Sequence, residues 1–349
     1  MTAGIEPGAH AATIEVSASR HVVDVVIRIR EFGILAALIL LVTITASLQS
    51  RFLSSTELKF ILEDSSIFAL LSLGEMMCIV TRNYDLSVGS VLGLSAFLSA
   101  RLFSEVHGIP IPVVFLVGLG IGLGCGTVNG LISAVGRVPS LVVTLAMLYI
   151  IRAVDILIVG GGQVVGSSLP NSFVRIPTES IGGVPYLAIV IAVIIVAGAY
   201  YLRSYRSGRE LYAIGSNPDA ARLGGIPIAK RVFTAFAVSG ALAGVAGVIY
   251  SARFGTIDST AGTGYELQVI AAVVVGGVAI FGGSGSAIGA ALGAVLLNTI
   301  LSALYVLGIS PFWDQAISGL LLISAISLDR GIQVRLTTAL RRRRSRLGA

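Results

Sequence analysis

The sequence predicts an all-α, polytopic membrane protein with about ten transmembrane helices. Hydrophobic residues make up 55% of the 349 residues and charged residues only 12%, and the mean hydropathy is +0.93. Soluble domains carry about 25% charged residues, so this composition excludes an ordinary soluble domain. The 42 glycines indicate the same class, because small residues allow membrane helices to pack closely.

Ten apolar segments approach the roughly 20 residues that one membrane span requires. They cover, approximately, residues 32–48, 60–81, 86–104, 111–135, 139–159, 185–202, 232–252, 265–282, 285–307 and 311–328. Several connections between them are very short. The hinges near Asp85, Gly283 and Pro311 are therefore either plain turns or re-entrant segments.

The two ends of the chain are expected to lie outside this transmembrane domain, residues 32–328. In the N-terminal segment, residues 1–31, apolar and charged residues alternate from Ser19 to Glu31, which fits an amphipathic helix on the inner membrane surface. The tail, residues 329–349, contains RRRRSR at 341–346. It either contacts anionic lipid headgroups or acts only as a topogenic end.

The distribution of basic residues predicts the orientation. With the N-terminus inside, 18 of the 24 Lys and Arg residues fall in cytoplasmic segments. They lie at positions 20, 28, 30, 82, 137, 203, 206, 209, 222, 230 and 231, and from 330 onward. Because positive residues are retained on the cytoplasmic side, both termini are predicted to be cytoplasmic. The net charge of +6 comes from these membrane-flanking residues, so it does not indicate nucleic-acid binding.

The longest polar segment between apolar ones is residues 203–231, here called the central loop. It carries six basic and two acidic residues. Within it, Gly215–Gly225 predicts a short helix, which Ser216 or Asn217 caps. Pro218 suits the first turn, and one of two following glycines ends the helix. Such a helix offers a surface to a soluble partner, whereas the alternative is a solvated connector that only sets topology.

Catalytic and metal-binding patterns are missing from the sequence. The only lysines, Lys59 and Lys230, do not follow a glycine, so the chain has no phosphate-binding loop and is not expected to hydrolyse ATP itself. Cys78 and Cys125 lie in apolar segments without CxxC or Cys/His spacing. We therefore expect no metal site, disulfide or bound cofactor.

Polar residues at membrane depth are costly and are therefore candidates for function. Glu75 is the only clear acid in the middle of a span, and Asp155 and Gln268 lie in later spans. A carrier driven by protons or sodium typically pairs buried carboxylates, so a neutral pathway for an uncharged polar solute fits better. The candidate pathway residues are Glu75, Asn83, Asp85, Ser87, Thr144 and Asn298. The alternative for each is an interhelical hydrogen bond, which is the role we expect for Glu75.

Two similar segments suggest an internal repeat. Residues 87–93 read SVGSVLG and residues 283–289 read GSGSAIG, one on each side of the central loop. Transporters often contain such repeats, with sites at the repeat interface, although a Gly/Ser bias also explains the match. The surrounding run, residues 276–293, lacks the context of a nucleotide loop, so we expect close helix packing around a broken helix.

Four stretches together resemble one family. Residues 85–90, DLSVGS, resemble its GGIDLSVGS signature, although residues 82–84 read RNY where GGI is usual. Residues 207–226 resemble GR-x-x-YA-x-G-x-N-x-x-AA-x-x-x-GI. Residues 273–293 resemble GG-x-x-x-x-GG-x-G-x-x-x-G. Val138-Pro139-Ser140, followed by Thr144-Leu145, is similar to P-F-x-x-T-L.

This family is the permease subunit of bacterial ABC importers for monosaccharides of the ribose, xylose, galactose and rhamnose types, with the autoinducer-2 permeases nearby. The resemblance spans roughly residues 60–330. It implies a type II importer fold in the inner membrane, with two permeases (a second copy or a paralogue), two ABC ATPase subunits and a periplasmic sugar-binding protein. ATP and Mg²⁺ would be used by the ATPase. Because residues 82–84 differ from the family signature, the resemblance does not identify which sugar is transported.

The resemblance also implies that the helix at residues 217–225 seats in a cleft on the ATPase, whose closure moves the neighbouring spans. The residues expected to serve this coupling are Arg209, Gly215, Asn217, Ala220, Ala221, Arg222 and Gly225. Arg209 and Arg222 either contact acidic ATPase residues or hold the loop in shape.

Two other classes compete with an importer permease. One is an ion- or proton-coupled secondary transporter of a small polar solute, which the scarcity of paired acids disfavours. The other is an intramembrane enzyme, which would need a clustered acid/His or Asp-rich motif that the sequence lacks.

Overall fold

The computed structural model describes residues 31–310, 312–325 and 327. The predicted N-terminal amphipathic helix, apart from its last residue, and the basic tail lie outside the described residues. The described part is helical almost throughout. Its helices are α1 (Glu31–Leu48), α2 (Ser55–Ile79), α3 (Val88–Glu105), α4 (Ile111–Gly130), α5 (Ser140–Val159), α6 (Asn171–Val174), α7 (Tyr186–Ser204), α8 (Arg206–Ser216), α9 (Pro218–Leu223), α10 (Ile228–Phe254), α11 (Tyr265–Val275), α12 (Ala287–Val306) and α13 (residues 313–325).

Short elements complete the chain. A π-helical turn, Leu131–Val135, continues α4. Between α6 and α7, the strands β1 (Ser180–Ile181) and β2 (Val184–Pro185) form an antiparallel hairpin. Short 3₁₀ turns precede α2 and α6.

Six described helices are long and apolar enough to cross a membrane: α1, α4 with its π turn, α5, α7, α10 and α12. The predicted polytopic class is therefore confirmed. α2 has the length, 25 residues, but carries Glu63, Asp64 and Glu75 in its apolar stretch. α3 has 18 residues and lies at the predicted third span.

The predicted span at 265–282 is wrong in its extent. α11 has 11 residues and ends at Val275, so it is about 16 Å long where the hydrocarbon core is about 30 Å thick. The chain is not helical again until Ala287. Glycines at 276, 277, 282 and 283 cause the break, because the last three have positive φ angles of 81–86°, a conformation that suits glycine.

α10 occupies the middle of the bundle, packed against α2, α3 and α4. Its contact with α4 is backbone to backbone: a Cβ at Gly122 would lie 2.0 Å from the carbonyl oxygen of Gly240, and one at Gly126 would lie 2.3 Å from that of Phe236. The glycine-rich sequence thus serves close helix packing. α11 and α12 pack in the same way, because a Cβ at Gly293 would lie 2.0 Å from the carbonyl oxygen of Ala272. This confirms the close packing around a broken helix predicted for residues 276–293.

The connections between helices fall on two faces. One face holds the α2–α3, α4–α5 and α11–α12 connections together with the central loop, and we call it the loop face. Eight basic residues of the described chain lie there: Arg82, Arg137, Arg203, Arg206, Arg209, Arg222, Lys230 and Arg231. The opposite face holds the α1–α2, α3–α4 and α5–α7 connections and the start of the α10–α11 connection, and there an isolated backbone bridge joins Val164 to Ile257.

Candidate functional site

The central loop consists of two helices with a bend between them. The side-chain Oδ1 of Asn217 accepts hydrogen bonds from the backbone N–H groups of Asp219 and Ala220, each 3.1 Å long. It therefore caps α9, which Gly224 ends. The predicted helix is thus present but shorter than Gly215–Gly225. Gly215 belongs to α8 instead, because the extended backbone of Asn217 separates the two helices.

Ion pairs and capping bonds fix α8 to its neighbours. The carboxylate of Glu210 pairs with Arg206 at 2.8 Å and with Arg231 of α10 at 2.5 Å. The hydrogen bond from Arg231, helped by Arg206, holds the pKa of Glu210 below its usual value. Arg209 donates a 2.5 Å hydrogen bond to the carbonyl oxygen of Ser204 at the end of α7. This contact corresponds to the second of the two roles considered for Arg209, holding the loop in shape.

α9 presents its outer surface to the surroundings. Leu223 is 91% exposed, and Ala220, Arg222 and Gly225 are exposed as well, whereas Ala221 is buried beneath the helix. Leu223 is thus a single exposed leucine at the tip of a capped, polar loop.

The end of α8 meets two breaks between other helices. The backbone N–H of Gly283, in the α11–α12 connection, donates a 2.9 Å hydrogen bond to the carbonyl oxygen of Val80 in the α2–α3 connection. A Cβ at Gly215 would lie 1.7 Å from that same oxygen and 2.5 Å from the N–H nitrogen. Only glycine fits here without displacing backbone. We call this contact of Val80, Gly215 and Gly283 the three-way junction.

Arg82, which lies in the α2–α3 connection, donates hydrogen bonds to backbone at the three-way junction. Its Nε donates to the carbonyl oxygen of Gly215 at 2.6 Å, and its Nη2 donates to that of Ser216 at 2.9 Å. These carbonyls are at the C-terminus of α8, where a cation is favourable. Arg82 also has a φ of +67°, which is uncommon for a residue other than glycine.

The α2–α3 connection is also held by α5 and by the α11–α12 connection. The hydroxyl of Thr144 donates a 3.1 Å hydrogen bond to the carbonyl oxygen of Tyr84. The phenol of Tyr84 donates a 2.5 Å bond to the carbonyl oxygen of Ile280. The two segments that precede the predicted repeat motifs, 87–93 and 283–289, are thus in direct contact, and the repeat itself stays a prediction.

Four of the predicted pathway residues belong to this region: Glu75, Asp85, Ser87 and Thr144. Asp85 is the centre of a buried network, here called the Asp85 cluster, in which its backbone N–H donates to Glu75 Oε1 at 3.1 Å. Its carboxylate accepts from the hydroxyl groups of Ser87 at 2.7 Å and Ser239 at 3.1 Å. Asn129 donates to Ser87 Oγ at 2.8 Å. The cluster joins α2, α3, α4 and α10, and within it Glu75 Oε2 and Asn129 Oδ1 lack a hydrogen-bond partner among the described residues.

The other two predicted pathway residues make no hydrogen bond to the Asp85 cluster. Asn83 is half-buried and donates to Thr81. Asn298 donates to Ile61 O and Ser65 Oγ, which links α12 to α2. A pathway role for these residues and for the Asp85 cluster stays a prediction, as does the structural role expected for Glu75.

These observations define a class: a polytopic helical membrane protein in which a structured polar loop contacts the breaks between membrane helices. The chain belongs to the family described as branched-chain amino acid transport system / permease component, whose profile matches residues 58–326. The resemblance found in the sequence is thereby confirmed. The chain is a transport permease component of the inner membrane and not an enzyme.

Curated relatives include two types of import permease. The autoinducer 2 import system permease protein LsrC of Enterobacter sp. (strain 638) is 34% identical over 308 residues, covering 88% of this chain and 89% of that protein. The ribose import permease protein RbsC of Escherichia coli (strain K12) is 34% identical over 299 residues, covering 84% of this chain and 92% of that protein. No solved structure gives a significant match to this chain.

The sequence reasoning missed two groups of polar residues. Arg82 was predicted only as a cytoplasmic basic residue and as a departure from a motif, because the carbonyl groups of α8 that it caps lie 133 and 134 residues away in the sequence. The run GTIDSTAGTGYELQ, residues 255–268, was passed over apart from Gln268. Its density of hydroxyl and carboxyl groups next to a glycine-rich turn was a detectable signal.

Proposed function

We propose that this chain is the membrane-spanning subunit of an ATP-driven importer that moves a monosaccharide (pentose, deoxyhexose or hexose) from the periplasm to the cytoplasm by alternating access. The family match over residues 58–326 carries this proposal. The relatives that are named for ribose and autoinducer 2 import support a small sugar-like solute.

The proposed orientation places the loop face in the cytoplasm. Eight basic residues of the described chain lie on that face, and such residues are retained inside the cell. Both termini are then cytoplasmic, and the ten predicted segments cross or enter the membrane. The half-length helix α11 is one that enters it.

Two ATPase subunits, a periplasmic sugar-binding protein and a second permease subunit complete the proposed transporter. ATP and Mg²⁺ are bound by the ATPase, since this chain lacks a phosphate-binding loop. The surface of α9, with Leu223 at its tip, is the proposed ATPase contact. The solute is selected mainly by the binding protein.

The mechanism that we propose runs through the three-way junction. Movement of α9 by the ATPase is passed to α8, because Asn217 joins the two helices without an intervening loop. From α8 it reaches the α2–α3 and α11–α12 breaks through Gly215 and Arg82. Loaded binding protein outside and ATP inside each bias the equilibrium between outward-open and inward-open states.

Purification of the tagged chain from its native membranes tests this proposal. We expect a P-loop ATPase to accompany it in near-equal amount, and the identity of the second permease distinguishes a homodimer from a heterodimer. A chain that purifies without an ATPase, and that still moves solute in vesicles without ATP, would instead be an ion- or proton-coupled carrier.

A further inference from the structure

Residues 255–264, between α10 and α11, do not stay at the opposite face. The segment starts at Gly255, after the last residue of α10, and its Ile257 bridges Val164 there. Further along, a Cβ at Gly93 of α3 would lie 2.4 Å from the carbonyl oxygen of Ala261. A Cβ at Gly89 would lie 2.5 Å from that of Gly262. The segment therefore follows α3 toward its N-terminus.

The rise per residue of α3 gives the depth of Ala261 and Gly262 in the membrane. α3 ends at Glu105, so Gly93 lies about 18 Å and Gly89 about 24 Å below that end, at 1.5 Å per residue. The hydrocarbon core is about 30 Å thick. Ala261 and Gly262 are thus at membrane depth, and α11 starts there and runs about 16 Å back to the loop face.

Arg152 of α5 holds the segment at this depth. It lies twelve residues from the start of a 20-residue helix, about 18 Å along it. Its Nη1 donates to the carbonyl oxygens of Ala261 at 2.7 Å and Ser259 at 3.2 Å. The carboxylate of Asp155 lies 3.8 Å from the same nitrogen and is fully buried, with both oxygens lacking a hydrogen-bond partner among the described residues.

The side chains that the segment displays are polar and accessible. Thr260 and Thr263 are exposed, Ser259 and Gln268 are half-buried, and Gln315 of α13 is exposed beside Gly264. Glu266 is half-buried, and its Oε2 is buried against Gly89 of α3 without a hydrogen-bond partner among the described residues. Non-helical backbone at membrane depth is tolerated only where it is buried in protein or lines a water-filled cavity. Accessible threonine and glutamine at this depth favour the second case.

We infer that the substrate pathway passes along the 255–264 segment and the first turn of α11, between them and α5. The chemistry suits a polyhydroxylated solute, because carboxylates accept hydrogen bonds from hydroxyl groups while amide and guanidinium groups donate them. Discontinuous helices form binding sites in many transporters. The inference rests on the proposed function, and it locates the pathway away from the Asp85 cluster.

Cysteine accessibility tests the location independently of transport. In intact membranes, we expect Thr263→Cys and Gln268→Cys to react with a charged, membrane-impermeant methanethiosulfonate about tenfold faster than Val193→Cys, a 64%-exposed position in the middle of the apolar helix α7. Wild-type chain, with its own Cys78 and Cys125, is the blank. Labelling no faster than at Val193→Cys would overturn the inference and indicate a dry contact with a second subunit.

A second variant tests the chemistry of the pathway. We expect Glu266→Gln to lower the maximal rate of ATP-driven ribose uptake by about tenfold, with unchanged amounts of inserted protein and bound ATPase. Glu105→Gln, an exposed carboxylate paired with Arg101, is the matched control and leaves uptake unchanged. Wild-type uptake in the Glu266 variant would overturn the inference, whereas absence of ATP-driven uptake of ribose and of every other pentose, deoxyhexose and hexose offered to the wild type contradicts the proposed function instead.

Discussion

The three-way junction and the 255–264 segment are two places where membrane helices are interrupted, and they differ in what fills the interruption. At the three-way junction, backbone meets backbone around Gly215, and Arg82 uses its donors on carbonyls of the same site. Along the 255–264 segment, hydroxyl and carboxyl side chains remain accessible. A closed interruption transmits displacement, because packed elements shift as units. An open, polar interruption offers a route for a solute.

The largest effect is expected at the three-way junction. Gly215→Ala places a methyl group 1.7 Å from the carbonyl oxygen of Val80, so backbone must move, a change that typically costs about 1–3 kcal/mol. We expect uptake to be lost while the chain still inserts. Gly124→Ala in α4 is the control, because no atom lies within 4 Å of a Cβ at that position. Normal uptake by Gly215→Ala, with ATPase bound, would refute the transmission role.

The next largest effect is expected when Leu223, the proposed ATPase anchor, is truncated. Leu223 is 91% exposed, and truncation of an anchor side chain at an interface typically costs about 2 kcal/mol or more. We therefore expect Leu223→Ala to weaken the affinity for the ATPase by about thirtyfold, so that less ATPase co-purifies. Val193→Ala, also at an exposed apolar position, should leave it unchanged. Equal recovery of ATPase from both variants would move the docking site elsewhere.

Arg82 should show an intermediate effect. Arg82→Ala removes two hydrogen bonds to carbonyls of α8, each with a charged donor and worth about 1.5–3 kcal/mol at most. We expect uptake to fall several-fold and Arg82→Lys to restore part of it, since an ammonium group cannot reproduce the paired geometry. If Arg82→Ala had wild-type uptake kinetics, Arg82 would have no role in transmission, and the contact at Gly215 alone would connect α8 to the α2–α3 and α11–α12 breaks.

The smallest expected effect is on the pH dependence of stability, through Glu210. Because Arg231 and Arg206 lower the pKa of Glu210, its ion pairs stabilise α8 fully above the unfolded pKa of about 4.3. The stabilisation is lost only as the pH falls through the still lower pKa of the folded chain. Thermal unfolding should therefore be insensitive to Glu210 between pH 8 and 6. Glu210→Gln should lower stability by about 1 kcal/mol at either pH, and a loss confined to pH 6 would contradict this account.

Several parts of this structure follow directly from local sequence. Long apolar runs predicted α1, α4, α5, α7, α10 and α12 to within a few residues. The cap and proline at Asn217 and Pro218 predicted α9, because those signals act within a single turn. Glycine spacing predicted the close packing of α11 on α12.

Other parts depend on contacts that no local pattern encodes. α11 reads as a full span because residues 276–278 carry no polar side chain, and the helix ends where Gly277 takes a φ of +86°. The Asp85 cluster joins Asp85 to Ser239 across 154 residues. The depth of the 255–264 segment is set by Gly89 and Gly93 of a distant helix.

Transport by purified components tests the central claim most directly. The chain, reconstituted in vesicles with its ATPase and the sugar-binding protein, should accumulate a labelled pentose, deoxyhexose or hexose only when ATP is present on the side of the loop face. Equal accumulation without ATPase or ATP, driven by a proton or sodium gradient, would contradict the account and make the central loop a simple connector.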